Sequence, residues 1–96
     1  MRIFVSAKAD TDLLQLFSYL SAQDPAVAEA TPSEIDEKFA SLSRFPFIGR
    51  ERATFGQGIR SLVAGMYVIF YAVEKDRIVI VRVLDGSRDL DAELQK

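Results

Sequence analysis

Three apolar runs in the second half of the chain constrain the fold more than any other feature of the sequence. They extend from Ile59 to Ala64, from Met66 to Val73 and from Ile78 to Leu84, and they are rich in β-branched and aromatic residues. Gly65 separates the first two runs, and the charged stretch from Glu74 to Arg77 separates the last two. Connections this short predict an antiparallel meander whose last two strands form a hairpin. Because the runs are almost continuously apolar, we expect both sheet faces to be largely covered, by another part of the chain or by a partner.

The first half of the chain begins with a short β-prone run, Arg2 to Ser6, followed by a segment with helical spacing. Ser6 is a good N-cap, and the early acids Asp10 and Asp12 suit the positive end of a helix dipole better than they suit a metal site. A first helix is therefore predicted over residues 7–22. Its apolar residues recur at i, i+3, i+4 and i+7: Leu13, Leu16, Phe17 and Leu20.

A second helical segment begins at Asp24-Pro25, where Asp24 is the predicted N-cap. Pro32 leaves two interpretations open: one helix from Pro25 to Leu42 that is kinked at Pro32, or a short turn followed by a helix from Pro32 to Leu42. In both, an apolar stripe can pack against the first helix to form a helical hairpin. The stripe comprises Ala28, Ile35, Phe39 and Leu42.

The predicted order of elements is β-α-α-β-β-β, an α+β fold in which an antiparallel sheet packs against an N-terminal helical hairpin. The 96 residues suit a single domain, residues 1–96. Residues 47–58 are rich in glycine and arginine and are predicted to form a surface connection. After Asp85-Gly86 a polar tail carries Leu90 and Leu94 four residues apart, which is compatible with one or two helical turns.

The composition excludes several classes of function. The chain has no cysteine and no histidine, so it has no disulfide, no cysteine-ligated metal, no thiol nucleophile and no histidine base, and it lacks histidine as the commonest metal ligand. A formal net charge of −2 provides no global attraction to nucleic acid or to anionic membranes. The basic extreme is the stretch from Arg44 to Arg60, where four arginines accompany the single acid Glu51. Within it, Arg50 and Arg52 are solvated loop charges in the simplest interpretation and candidate loop contacts to a partner in the other.

Several segments resemble one known family. The segments that carry the resemblance are Ala9 to Leu13 (ADTDL), Arg44 to Pro46, Ile48 to Arg50, Gly58 to Arg60, Tyr67 to Tyr71 (YVIFY) and Ile80 to Leu90, which contains RVLDGSRD. Over about residues 3–90 the chain resembles the RelE/ParE superfamily of toxin–antitoxin toxins, more closely its ParE branch of plasmid stabilisation proteins. The last segment is similar to a family ending, RVLHGARD. Asp85 stands here in place of a frequent histidine, and Ser87 in place of a frequent alanine.

The resemblance implies the same β-α-α-β-β-β fold and the activity of a type II toxin that inhibits DNA gyrase and blocks replication. It implies no catalytic residue, metal or cofactor. A RelE-like, ribosome-dependent mRNA endoribonuclease is the alternative, but Val68 lies where those members place a catalytic arginine, and only Arg88 matches one of their cations. A binding module that contacts an antitoxin without toxicity is the third hypothesis.

The resemblance makes five residues candidates for contacting gyrase or the antitoxin. They are Arg60, Arg82, Asp85, Ser87 and Arg88. Arginines pair with carboxylates through two parallel hydrogen bonds, which suits such an interface. The competing interpretation pairs Arg82 with Glu74 or another acid across the sheet, and Arg88 with Asp85 or Asp89. Tyr67 and Tyr71 share a strand face and are predicted to be core residues with hydrogen-bonded hydroxyls.

The expected partners are a cognate antitoxin, ParD-like or similar, that forms a hetero-oligomer with the toxin, and DNA gyrase as the target. Direct nucleic-acid binding by the toxin alone is not expected, nor is a membrane. The N-terminus lacks the apolar core of a signal peptide and the sequence has no 18-residue apolar run, so a cytoplasmic bacterial protein is expected.

Overall fold

In the part of the chain that the structure describes, five strands form one sheet, and two helices lie against it. The computed structural model describes residues 1–87 and Leu90, without the side chains of residues 25–31. The strands follow the order β1-β5-β4-β3-β2 across the sheet. The elements are β1 (Arg2–Val5), α1 (Ala7–Gln23), α2 (Pro25–Arg44), β2 (Arg50–Glu51), a 3-10 turn (Ala53–Phe55), β3 (Ile59–Ala64), β4 (Tyr67–Val73) and β5 (Arg77–Asp85).

The predicted meander is present. β3 pairs antiparallel with β4, from Ile59 opposite Ala72 to Ala64 opposite Tyr67. β4 pairs antiparallel with β5, and the register shifts between Phe70 and Tyr71. Strand β3 has the predicted bounds, β4 begins one residue later than predicted, and β5 is one residue longer at each end.

Two features depart from the predicted sheet. β1 pairs parallel with β5, with Ile3 opposite Ile78, so the sheet is mixed where an antiparallel one was expected. The helical hairpin is the long crossover that such parallel pairing requires. The predicted surface connection also contains β2, in which Arg50 lies opposite Ser61. A two-residue strand is too short to produce an alternating sequence pattern.

The helices begin close to where the sequence places them. Ser6 caps α1, because its hydroxyl oxygen accepts a hydrogen bond from the backbone N–H of Ala9 at 3.1 Å. α2 is one continuous helix from Pro25 to Arg44 with Pro32 inside it, which excludes the interpretation that begins the helix at Pro32.

The core lies between the helical hairpin and one face of the sheet. Leu16 and Leu20 from α1 join Ile35 and Leu42 from α2, while Leu13, Phe17 and Phe39 pack around them. The predicted stripes are therefore confirmed, except at Ala28, whose side chain lies outside the described part. The strands contribute Ala64, Tyr67, Ile69, Tyr71, Ile78, Ile80 and Val83 to the same cluster.

The opposite face of the sheet is covered only in part. Phe70 points away from the helices, since its neighbours Ile69 and Tyr71 point toward them, and it is fully buried. The Phe55 ring of the 3-10 turn meets the Phe70 ring edge to face, with 5.4 Å between the centroids. Farther along the sheet, Val63 and Met66 stay exposed. The connection between β2 and β3 thus covers one part of this face and leaves another open.

Candidate partner-binding site

Arg60 on β3 holds the connection that follows α2. Its guanidinium donates hydrogen bonds to the carbonyl oxygens of Gly49 at 2.8 Å and Phe47 at 3.4 Å, and to Glu51 Oε1 at 3.1 Å. The same group lies over the Phe47 ring, 5.1 Å from its centroid. These interactions give Arg60 a structural role within the chain that the sequence did not predict, and its role toward a partner stays a prediction.

Tyr71 on β4 also stabilises the connection that follows α2, through its hydroxyl group. Its buried hydroxyl donates to the carbonyl oxygen of Pro46 at 2.9 Å and accepts from the backbone N–H of Gly49 at 2.8 Å. Burial raises the pKa of the Tyr71 phenol, against smaller opposing effects of the Gly49 hydrogen bond and the Arg60 charge. The prediction of a core tyrosine with a bonded hydroxyl is confirmed, so Tyr71 is a structural group.

Gly49 is required where Tyr71 and the connection meet. A Cβ at this position would overlap the Tyr71 hydroxyl and lie 2.8 Å from the Ser61 carbonyl oxygen. Since both neighbours are parts of the buried sheet, neither can move away cheaply. Close approach of the backbone to the tyrosine therefore explains this glycine.

The two candidate loop arginines differ. Arg52 donates to the Ser61 hydroxyl at 3.3 Å, and its guanidinium lies 4.6 Å from the centroid of the Phe55 ring. It is therefore held within the connection, contrary to the interpretation of a solvated loop charge. Arg50 has an exposed side chain on β2, at the open edge of the sheet.

Arg82 on β5 forms a nearly buried ion pair with Asp12 of α1. The pair is bidentate, with 2.8 Å from Nε to Oδ2 and 2.9 Å from the second guanidinium nitrogen to Oδ1. Only 13% of the Arg82 side chain and 9% of the Asp12 side chain are exposed. Asp12 Oδ2 also accepts a hydrogen bond from the backbone N–H of Val83 at 3.0 Å.

The Asp12 pair corrects two expectations. The partner of Arg82 is an acid from the first helix, not Glu74, whose carboxylate pairs instead with Arg77 at 2.7 Å. Asp12 does not lie in the first turn of α1, where Asp10 does, and it joins α1 to the edge of β5 beyond the end of β1. Asp12 and Arg82 are 70 residues apart in sequence, so no local pattern could have joined them.

Asp85 and Ser87 form a turn at the end of β5. Asp85 Oδ1 accepts hydrogen bonds from the backbone N–H and the hydroxyl of Ser87, both at 2.8 Å. Gly86 donates its N–H to the carbonyl oxygen of Met66 at 2.9 Å, which ties this turn to the turn between β3 and β4. Arg88 lies outside the described residues, so its predicted pairing with Asp85 or Asp89 stays a prediction.

A groove of about 460 Å³ lies beside this turn, between α1 and the ends of β4 and β5. Its apolar lining includes Leu16, Tyr19 and Tyr67, and its polar lining includes Gln15 and Asp85. Of the candidate residues that the structure describes, Asp85 alone lines this groove, whereas Arg60 lines a different depression of about 380 Å³ next to Phe47 and Val73. The structure therefore does not bring the described candidates into one patch.

Four of the described arginines bind separate groups within the chain. Arg52, Arg60, Arg77 and Arg82 each contact a different carboxylate, hydroxyl or ring. Over that same part of the chain, no group of three or more Asp or Glu side chains is placed to hold a metal ion. Neither of the two described helices has the length and apolar character that crossing a membrane requires.

The fold matches that of a known toxin–antitoxin structure. A solved structure, the chromosomal ParDE toxin–antitoxin system from P. aeruginosa, matches with a TM-score of 0.75 and 22% identity, covering 88% of this chain and 95% of that one. The two chains therefore share a fold.

The sequence comparisons define the family. The family model of ParE toxins of the type II toxin–antitoxin system parDE matches residues 3–90. Toxin ParE3 of Caulobacter vibrioides is 36% identical over 70 residues, which are 73% of this chain and 70% of that protein. The chain belongs to the ParE toxin family, which confirms the resemblance found in the sequence.

Proposed function

We propose that this protein inhibits DNA gyrase in the bacterial cytoplasm, arrests replication, and is neutralised by a ParD-like antitoxin that binds it. Membership of the ParE toxin family carries the proposal. The toxin acts here by binding, without catalysing a reaction of its own.

The arrangement of the arginines supports a non-enzymatic mechanism. Phosphoryl transfer on RNA requires several cations around one phosphate, because charge accumulates on the phosphoryl oxygens in the transition state. Arg52, Arg60, Arg77 and Arg82 instead bind separate groups within the chain. Val68, which the resemblance places where RelE-like members have a catalytic arginine, is an apolar strand residue opposite Leu84.

The test is inducible expression in bacteria without the antitoxin, combined with purified gyrase assays. Growth arrest with accumulated cleaved plasmid, and cleaved complexes when the protein is added to gyrase, are the expected results. Arrest with intact DNA and fragmented mRNA would establish the endoribonuclease instead. Absence of arrest from well-folded protein would establish a binding module without toxicity.

A further inference from the structure

The connection after α2 exposes three large apolar side chains within four residues. Phe45 is 60% exposed, Phe47 64% and Ile48 47%. Single exposed apolar residues are common on protein surfaces, whereas a contiguous cluster of them marks an interaction site. We call residues 45–48 the apolar loop.

The backbone of the apolar loop is firmly held. Tyr71 bonds to Pro46 and Gly49, and Arg60 bonds to the carbonyl oxygens of Phe47 and Gly49. The backbone N–H of Ile48 donates to the Phe45 carbonyl oxygen at 3.2 Å. A loop fixed in this way loses little conformational entropy when a partner binds, which favours affinity.

The surroundings of the apolar loop are basic. Arg44 precedes it and Arg50 follows it closely, and both side chains are exposed. Glu51 is the only acid between residues 44 and 60, and its carboxylate pairs with Arg60. Arginine at a partly dehydrated interface pairs best with a carboxylate. The complementary surface is therefore apolar at its centre and acidic at its rim.

We propose that the apolar loop, with Arg44 and Arg50, is a docking surface for the antitoxin, which contributes a segment of apolar side chains flanked by carboxylates. The inference rests on the proposed antitoxin partnership and adds the surface and the chemistry of recognition. The antitoxin is the favoured occupant because the family is that of a toxin paired with an antitoxin, and because the exposed arginines complement an acidic segment. A bound antitoxin would also cover apolar side chains that otherwise promote aggregation.

The test measures the affinity of purified toxin variants for the cognate antitoxin. Phe47→Ala removes the aromatic side chain and keeps the backbone bonds of the loop, and Arg50→Glu reverses one charge at the rim. Leu14→Ala on α1 is the matched control, since Leu14 is 62% exposed against 64% for Phe47. Circular dichroism and thermal unfolding establish that each variant is folded.

The dissociation constant should rise by about 10-fold or more for Phe47→Ala and for Arg50→Glu. It should not change for Leu14→Ala. Equal affinities across the three variants and the wild type would overturn the assignment, as would an equal loss for Leu14→Ala. Failure of the wild type to bind the antitoxin would instead refute the proposed partnership. If Phe47→Ala keeps its affinity for the antitoxin but loses gyrase poisoning, the loop is a gyrase contact and the assignment is wrong.

Discussion

The ion pair between Asp12 and Arg82 gives the most quantitative prediction, since both side chains are at most 13% exposed. Asp12→Ala leaves the Arg82 guanidinium without its carboxylate and the Val83 N–H without its acceptor. Removing one partner of a buried pair costs about 3–5 kcal/mol, because the remaining charge stays poorly solvated. Domains of this size have unfolding free energies of about 5–15 kcal/mol, so the loss is a large fraction of the total.

Urea unfolding followed by circular dichroism measures this loss directly. A loss of about 3 kcal/mol lowers the melting temperature by about 12–24 °C in a domain this small. The control is the Asp12→Ala/Arg82→Met double variant, which removes both charges. The double-mutant cycle formed with the wild type and the two single variants should give a coupling energy between Asp12 and Arg82 of about 1–3 kcal/mol. A loss below about 1 kcal/mol for Asp12→Ala, the range of exposed pairs, would refute the argument that this pair is effectively buried.

Three further predictions concern the apolar loop and the tail. Tyr71→Phe removes the hydroxyl that bonds to Pro46 and Gly49 and should lower the unfolding free energy by about 1–3 kcal/mol in urea titrations; an unchanged value would contradict the hydrogen-bonding role. Burial raises the pKa of Tyr71, so the folded state favours the neutral phenol. The stability contributed by this phenol is fully present below a pH of about 10, and it is lost as the pH rises through the raised pKa. The unfolding free energy should therefore fall as the pH is raised above about 10, and it should fall less in Tyr71→Phe than in the wild type. Identical declines in the two proteins would contradict a raised pKa of Tyr71. Arg88→Ala should reduce growth arrest on induction while the circular dichroism spectrum stays unchanged, and undiminished arrest would remove Arg88 from the partner-binding residues.

The parts of the fold that the sequence predicts well are those with a local repeating pattern. The apolar stripe of α1 and the three β-prone runs each repeat over several residues, so the positions and packing of these elements follow from spacing. Serine is favoured at helix N-caps, and Ser6 directly precedes the segment with helical spacing. The structure confirms Ser6 as the N-cap of α1. The parallel pairing of β1 and the two residues of β2 depend on distant segments and leave no local signal.

The site was harder to predict, because its charged residues are defined by distant partners. Arg60 and Arg82 were proposed as partner contacts, which stays a prediction, whereas their contacts within the chain lie on the connection after α2 and on α1 respectively. The apolar loop was missed because residues 47–58 were predicted only as a surface connection. Two phenylalanines and an isoleucine within four residues, next to a predicted surface connection, were the signal that could have identified it.

The central claim is that this ParE family member poisons gyrase and that its antitoxin reverses the effect. The most direct measurement adds the purified protein to gyrase and supercoiled plasmid, with and without the antitoxin, and quantifies linear DNA after denaturing the enzyme. Accumulation of linear plasmid that depends on the protein, and its loss when the antitoxin is added first, is the predicted result. Unaltered gyrase activity from a folded protein that arrests growth in cells would contradict the account.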